Sequence, residues 1–170
     1  MIIWIDGKLV PLDDARISPI DHGLTVGDGV FETLRTYDGV PFAWSRHLAR
    51  LKASAAGLGL ELPVVDTWRE AATAVLAAND LRDARMRITV TGGPAAPGSS
   101  RGGGDGPVVF IVATRIGPPA PAADVVVVPW TRNERSATAG LKTISFAANV
   151  RALAFAEERG ASEAIFANTR

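Results

Sequence analysis

The chain has 170 residues, 47% of them apolar and 21% charged, with 18 Lys and Arg balanced by 18 Asp and Glu. The apolar share excludes global disorder, and the neutral balance excludes the cationic footprint by which a nucleic acid or an anionic membrane is bound. With no Cys, disulfides, thiol nucleophiles and thiolate metal sites are excluded together.

The N-terminus MIIWIDGKLV lacks the basic leader and small-residue cleavage site of a signal peptide. It reads as two strands, Met1 to Ile5 and Lys8 to Val10, turned by Asp6-Gly7. From Asp21, Gly23, Gly27 and Gly29 punctuate a loop that enters an alternating strand, Val30 to Tyr37, and Asp38-Gly39 turns it back. Trp44, Leu48, Leu51, Ala55 and Leu58 recur at the spacing of one helical face, ended by Gly57 and Gly59. A second helix is predicted from an Asp66 N-cap through Ala78. Strands Arg85 to Thr91 and Val108 to Thr114 flank sixteen residues, GGPAAPGSSRGGGDGP, of which ten are Gly or Pro, a composition that predicts a mobile loop.

The stiff GPPAP from Gly117 to Pro121 reads as a linker. Beyond it come strand Val125 to Trp130, a helix from Ala147 to Glu158, and strand Ser162 to Ala167. The expected organisation is α+β: an N-terminal sheet-and-helix domain at 1–116, a linker at 117–121, and the start of a second, incomplete β-rich domain at 122–170. The longest apolar runs, VVFIVA and VVVVPW, are strand-sized against the ~20 residues of a membrane helix. A cytoplasmic protein with no membrane and no nucleic-acid partner is expected.

Fifteen of the eighteen basic residues are Arg, leaving Lys8, Lys52 and Lys142. In SATAGLKTISFAANV, from Ser136 to Val150, Lys142 is the only charged residue. Desolvation there favours the neutral amine, a nucleophile able to form a Schiff base. The residues alone favour the bland alternative, a stem that snorkels from a strand edge into water. Lys8 follows a turn and Lys52 lies off the apolar stripe beside Arg50. His47 and Arg50 share one helical face, where the Arg fork suits phosphate or carboxylate; a solvated basic face including Arg46 is the bland alternative. Gly23, Gly27 and Gly29 serve turns or let a ligand approach the backbone. Asp21, His22, Asp28, Glu32 and His47 can be assembled into a metal site only on paper, since the two histidines lack a paired spacing, and no metal is expected.

Five segments in order, DHGLTVGDGVFETLR, HLARLKASA, RITVTGG, AGLKTISFAANV and GASEAIFANT, distributed along essentially the whole chain, resemble the pyridoxal-phosphate class IV aminotransferase family. That family includes branched-chain aminotransferases, D-amino-acid transaminases and aminodeoxychorismate lyases. The resemblance implies that Lys142 is the Schiff-base lysine, that Arg50 contacts the cofactor phosphate, and that His47 alongside it helps bind the substrate. It implies that Phe31 lines the substrate pocket where transaminases often carry Tyr, and that Arg87 and Arg101 meet a substrate carboxylate. It further implies a small-molecule amino substrate and a homodimer. TAGLK and Phe31 resemble the lyase branch, and Ala147 stands where branched-chain enzymes show Tyr, so an aminodeoxychorismate lyase, releasing pyruvate and leaving 4-aminobenzoate, is expected ahead of a transaminase. In the family the strand matching GASEAIFANT leads into a turn and an EGT-type segment with a downstream Asn, which supply the acidic partner of the pyridine nitrogen and much of the phosphate cup, and no such segment follows Arg170. The expectation is therefore a truncated chain that binds cofactor poorly, or a fragment that only folds and dimerises.

Overall fold

Two Asp-Gly pairs set the hairpins of the main sheet. Asp6 and Gly7 take φ of 43° and 91°, and Asp38 and Gly39 take 52° and 80°, the doubly left-handed backbone of the tightest hairpin turns. They join β1 (Ile2–Ile5) to β2 (Lys8–Pro11) and β3 (Gly29–Tyr37) to β4 (Val40–Pro41), as the sequence predicts. This computed structural model describes residues 1–101 and 106–170.

The fold is α+β. With β5 (Ala84–Thr91) and β6 (Val109–Arg115), the strands form a six-stranded antiparallel sheet in the order β2-β1-β6-β5-β3-β4. Alternation decides its faces: Ala84, Met86, Ile88 and Val90 of β5 are buried, whereas Arg85 and Arg87 are exposed. The buried face carries the core, closed by α2 (Trp44–Leu58) and α3 (Trp68–Ala78). Each fully buried Leu, Val or Met there contributes about 1.5–3 kcal/mol. The predicted stripe of α2 holds: Trp44, Leu51 and Ala55 are buried, and Leu48 and Leu58 pack against them.

Three expectations are corrected. Asp66 does not cap α3; Thr67 occupies the cap position, no side chain bonds there, and the helix begins where Trp68, 1% exposed, docks into the core. The loop after Asp21 contains a short helix, α1 (His22–Thr25), because the Asp21 carboxylate accepts from Gly23 N–H at 2.7 Å. Gly29 is no turn glycine. It opens β3, where an added Cβ would lie 2.5 Å from the Val90 carbonyl oxygen. Within 92–107 the described residues form no helix or strand before β6 beyond a single bridge between Asp21 and Pro94, and residues 102–105 of the expected mobile loop lie outside the described residues.

The chain divides into two compact units. The first is Met1–Gly117 together with Leu141–Ile144, and the second is Pro118–Gly140 with Ser145–Arg170. Leu141–Ile144, expected in the second domain, lies with the first because its backbone pairs with β3. In the second unit β7 (Val125–Arg132) and β8 (Glu163–Asn168) run parallel, connected through α4 (Ala147–Glu157). Val128, Ala152 and Ala156 are buried in it, while Val125, Val127, Val150 and Ile165 stay exposed.

Thr36, fully buried in β3, offers a test of the first unit. Its hydroxyl donates to the Arg82 carbonyl at 2.7 Å and accepts from Ala84 N–H at 2.9 Å. Thr36→Val keeps the shape and strands that buried N–H, so urea unfolding should show a loss of about 1–3 kcal/mol. Thr36→Ser should recover most of it.

Candidate active site

Strand β3 turns Val30, Glu32, Leu34 and Thr36 toward the helices and Phe31, Thr33 and Arg35 to the opposite face. Its outer edge is paired only at its ends. β4 takes Thr36 and Tyr37, and Leu141–Ile144 takes the start: Thr143 bridges Val30, Phe31 N–H donates to the Lys142 carbonyl at 3.0 Å, and Ile144 N–H donates to the Gly29 carbonyl at 3.0 Å. Between them, among the described residues, no strand pairs with Glu32–Leu34 on that side. Lys142 N–H also donates to the buried Ser54 hydroxyl of α2 at 3.0 Å, so the segment is fixed to both strand and helix.

Because Thr143 shares the face of Val30, its neighbour Lys142 falls on the face of Phe31. Lys142 Nζ lies 4.0 Å from the Phe31 ring centroid, and the Arg87 guanidinium lies 3.7 Å from the same ring. Both are within cation–π reach of a ring that is only 5% exposed. Burial pushes the Lys142 amine below the ordinary lysine value; the Glu32 charge opposes this, and the Arg50 and Arg87 charges reinforce it. Arg87 donates through Nε to the Thr89 hydroxyl at 3.0 Å. Arg87 is an exposed residue, yet desolvation lowers its pKa, and an arginine still stays charged.

On the helix side of the same strand, Glu32 is fully buried. Arg50 grips it with Nε to Oε1 at 2.5 Å and Nη2 to Oε2 at 2.7 Å, and His47 Nδ1 donates to Oε2 at 2.8 Å. An ionised carboxylate only accepts, so the proton of that last bond is assigned to His47 Nδ1. Arg50 Nη2 also approaches that nitrogen to 3.5 Å, donor against donor, and the approach binds nothing. Burial alone would raise the Glu32 pKa; the hydrogen bonds and charges of Arg50 and His47 outweigh it and hold the carboxyl below its ordinary value, while Glu32 raises that of Arg50.

Lys142, Phe31, Arg87, Arg50 and His47 thus meet around one stretch of β3. Arg101 does not join them. Its Nε and Nη2 each lie 2.5 Å from the Asp28 carboxylate, Nη1 donates to the Gly59 carbonyl at 2.5 Å, and Nη2 donates to that of Leu58 at 3.0 Å. It closes the C-terminal end of α2, about 12 Å along the helix from Arg50, and holds this chain's own carboxylate. Sequence reasoning gave Glu32 a place only in a paper metal site. The signal was a charged residue between Val30 and Leu34 on the apolar register of a strand. The acidic and imidazole groups considered for a metal are engaged separately: Asp21 accepts from the Thr91 hydroxyl, Asp28 holds Arg101, and Glu32 holds Arg50 and His47. Among the described residues no group of three His, Asp or Glu is placed to bind a metal ion.

Comparison with known proteins adds a family to this geometry. The family model described as Amino-transferase class IV matches residues 29–170. A putative branched-chain-amino-acid aminotransferase of Methanocaldococcus jannaschii is 39% identical over 119 residues, covering 69% of this chain and 41% of that protein. The aminodeoxychorismate lyase of Bacillus subtilis is 33% identical over 120 residues, with the same shares of 69% and 41%. Among solved structures, the branched-chain amino acid aminotransferase of Escherichia coli superposes with a TM-score of 0.89 at 26% identity, covering 99% of this chain and 60% of that one. The chain therefore spans about two fifths of the length of the curated relatives and three fifths of the solved one.

Two titrations check the electrostatics. Burial lowers the Lys142 pKa, so the pH midpoint for its acetylation by limiting acetic anhydride, read by peptide mass spectrometry, should fall below 10.5. Glu32 is shifted in the same direction, which for a carboxyl favours the charged form. Its folded pKa lies below 4.5, so its stabilising contribution is complete above that value and is lost as pH falls through the lower folded value. Glu32→Gln should flatten that acid-side loss in urea unfolding at pH 7 and pH 3.

Proposed function

The chain belongs to the class IV aminotransferase family, whose members are pyridoxal-phosphate-dependent aminotransferases or lyases, and from that premise we propose that it carries the lysine half of a pyridoxal-phosphate site in an aminodeoxychorismate lyase. The observation that carries the reading is Lys142, an amine with a lowered pKa held against Phe31 within the field of Glu32, Arg50 and Arg87. These residues fit the cofactor. Lys142 supplies an amine whose neutral form is favoured by burial, and Arg50, its side chain 56% exposed, retains N–H donors beyond those taken by Glu32.

In this reading Arg50 binds the phosphate and Lys142 Nζ holds the cofactor. The bound cofactor supplies an electron sink for the charge left when a substrate bond breaks. Once the substrate amine has taken its place, the freed Lys142 Nζ, neutral for a larger fraction of the time than an exposed lysine, would accept and return the substrate proton. Arg87 has its Nη groups available for a substrate carboxylate, and Phe31 keeps water from the face of the site that Lys142 shares. Elimination of pyruvate from aminodeoxychorismate leaves 4-aminobenzoate. The apolar Phe31 favours this branch, because it offers the substrate no hydroxyl at that position. The 39% identity to a putative branched-chain aminotransferase favours a second reading, transamination of a branched-chain or D-amino acid. The proposal includes a small amino substrate, a homodimer and a cytoplasmic location; among the described residues no helix is long and apolar enough to cross a membrane.

Pyridoxal 5'-phosphate in excess should give a yellow absorbance band, and borohydride should fix the label on Lys142 and on neither Lys8 nor Lys52. Lys142→Ala should abolish both. Pyruvate and 4-aminobenzoate released from aminodeoxychorismate would establish the lyase; glutamate formed from 2-oxoglutarate with leucine or D-alanine would establish the transaminase. Arg87→Met should raise the substrate KM about tenfold or more, the loss of a charge-assisted contact.

A further inference from the structure

The Arg50 guanidinium directs its Nε–H and one Nη2–H to Glu32. Its remaining donors, one on Nη2 and two on Nη1, form the outer edge of the fork. That edge belongs to a side chain 56% exposed, beside a surface cavity of about 410 Å³ lined by Phe42, Ala43, Arg46, His47 and Arg50. Glu32 itself is fully buried on β3, with Oε1 held by Arg50 and Oε2 held by Arg50 and His47. A buried carboxylate on a rigid strand that saturates the inner edge of an arginine fixes the direction of the outer edge. The same carboxylate is near enough to influence Lys142. A charge with no role beyond packing would be costly in that place, since a buried ion must be paired to be tolerated at all.

We propose that Glu32 is the positioning residue of this site: its buried carboxylate holds the inner edge of the Arg50 fork, and through His47 the helix behind it, so that the outer edge is presented to the phosphate of the cofactor. The inference rests on the reading of the site as a pyridoxal-phosphate site. Positioning and plain electrostatics predict opposite signs. Removing the negative charge of Glu32 relieves its repulsion of an incoming phosphate and, by charge alone, tightens phosphate binding. If Glu32 aims Arg50, removing it weakens phosphate binding despite that relief.

The test compares pyridoxal 5'-phosphate with pyridoxal, which lacks the phosphate, on the wild-type chain, Glu32→Gln and Glu32→Asp, with far-UV circular dichroism confirming the fold. The quantity read is the ratio of the two dissociation constants. In Glu32→Gln any change in the reactivity of Lys142 affects both aldehydes and cancels in the ratio, so the preference for the phosphorylated form should fall about tenfold or more, and Glu32→Asp should recover some of it. A preference unchanged or increased in Glu32→Gln overturns the proposal and leaves the functional reading standing. Should Glu32→Gln not fold, Arg50→Lys replaces it. That variant keeps the charge but cannot grip both carboxylate oxygens, so an unchanged preference there also overturns the proposal. A wild-type chain that shows no preference for the phosphorylated form sinks the functional reading. Glu32 is then judged with inorganic phosphate as the probe, by its protection of Arg50 against phenylglyoxal. Protection present in the wild type and lost in Glu32→Gln supports the positioning role, and equal protection in both overturns it.

Discussion

The arrangement of the first unit depends on a short stretch of backbone pairing. Leu141–Ile144, more than a hundred residues beyond β3, is laid against the first residues of that strand by two main-chain hydrogen bonds and is tied to α2 through Ser54. The side chains that flank Lys142 add to this support, Leu141 lying over Gly57 of α2 and Ile144 over Gly29 of β3. Everything the lysine meets follows from that placement. The pairing stops where the edge of β3 opens, and the charged groups gather at the opening.

The balance of charge explains why these groups tolerate one another. Lys142, Arg50 and Arg87 are three basic groups around one strand, and Glu32 is the carboxylate among them. A buried carboxylate without partners would be protonated; with Arg50 and His47 it stays ionised and offsets some of the surrounding positive charge. The remaining excess is positive, as the proposed binding of a phosphate and a carboxylate would require. Asp28 and Arg101 form a second, self-contained pair at the other end of α2, and they consume the arginine that the loop sequence offered to a substrate.

What the sequence revealed and what it hid follow from the range of the forces involved. The α2 stripe, the Asp-Gly hairpins and the alternation of β5 are local patterns of burial and turn chemistry, and the structure reproduces them. Lys142 stood out because it is isolated in a neutral stretch. The grip of Arg50 on Glu32 joins residues 18 apart through a strand face and a helix face, so it requires both the register and the docking of α2. The Asp28–Arg101 pair spans 73 residues and ends in the Gly- and Pro-rich stretch after β5, which has no periodicity. The start of α3 eluded the capping rule because docking of Trp68 outweighed a favourable Asp66. The placement of Leu141–Ile144 joins strand, helix and segment across more than eighty residues, through main-chain bonds and the Ser54 hydroxyl, and so leaves no local pattern to read.

Gly29 shows how little room this assembly leaves for drift. Any side chain there would press on the Val90 carbonyl oxygen at 2.5 Å, the Ile144 side chain at 2.8 Å and the Thr91 backbone at 3.0 Å. Two of those neighbours belong to β5, and the third sits two residues from the lysine. A single added methyl group must therefore either force a pair of central strands apart or push the lysine-bearing segment off its support. The position is closed to every amino acid with a Cβ, and the chemistry of a charged cluster is in this way guarded by an atom that is missing.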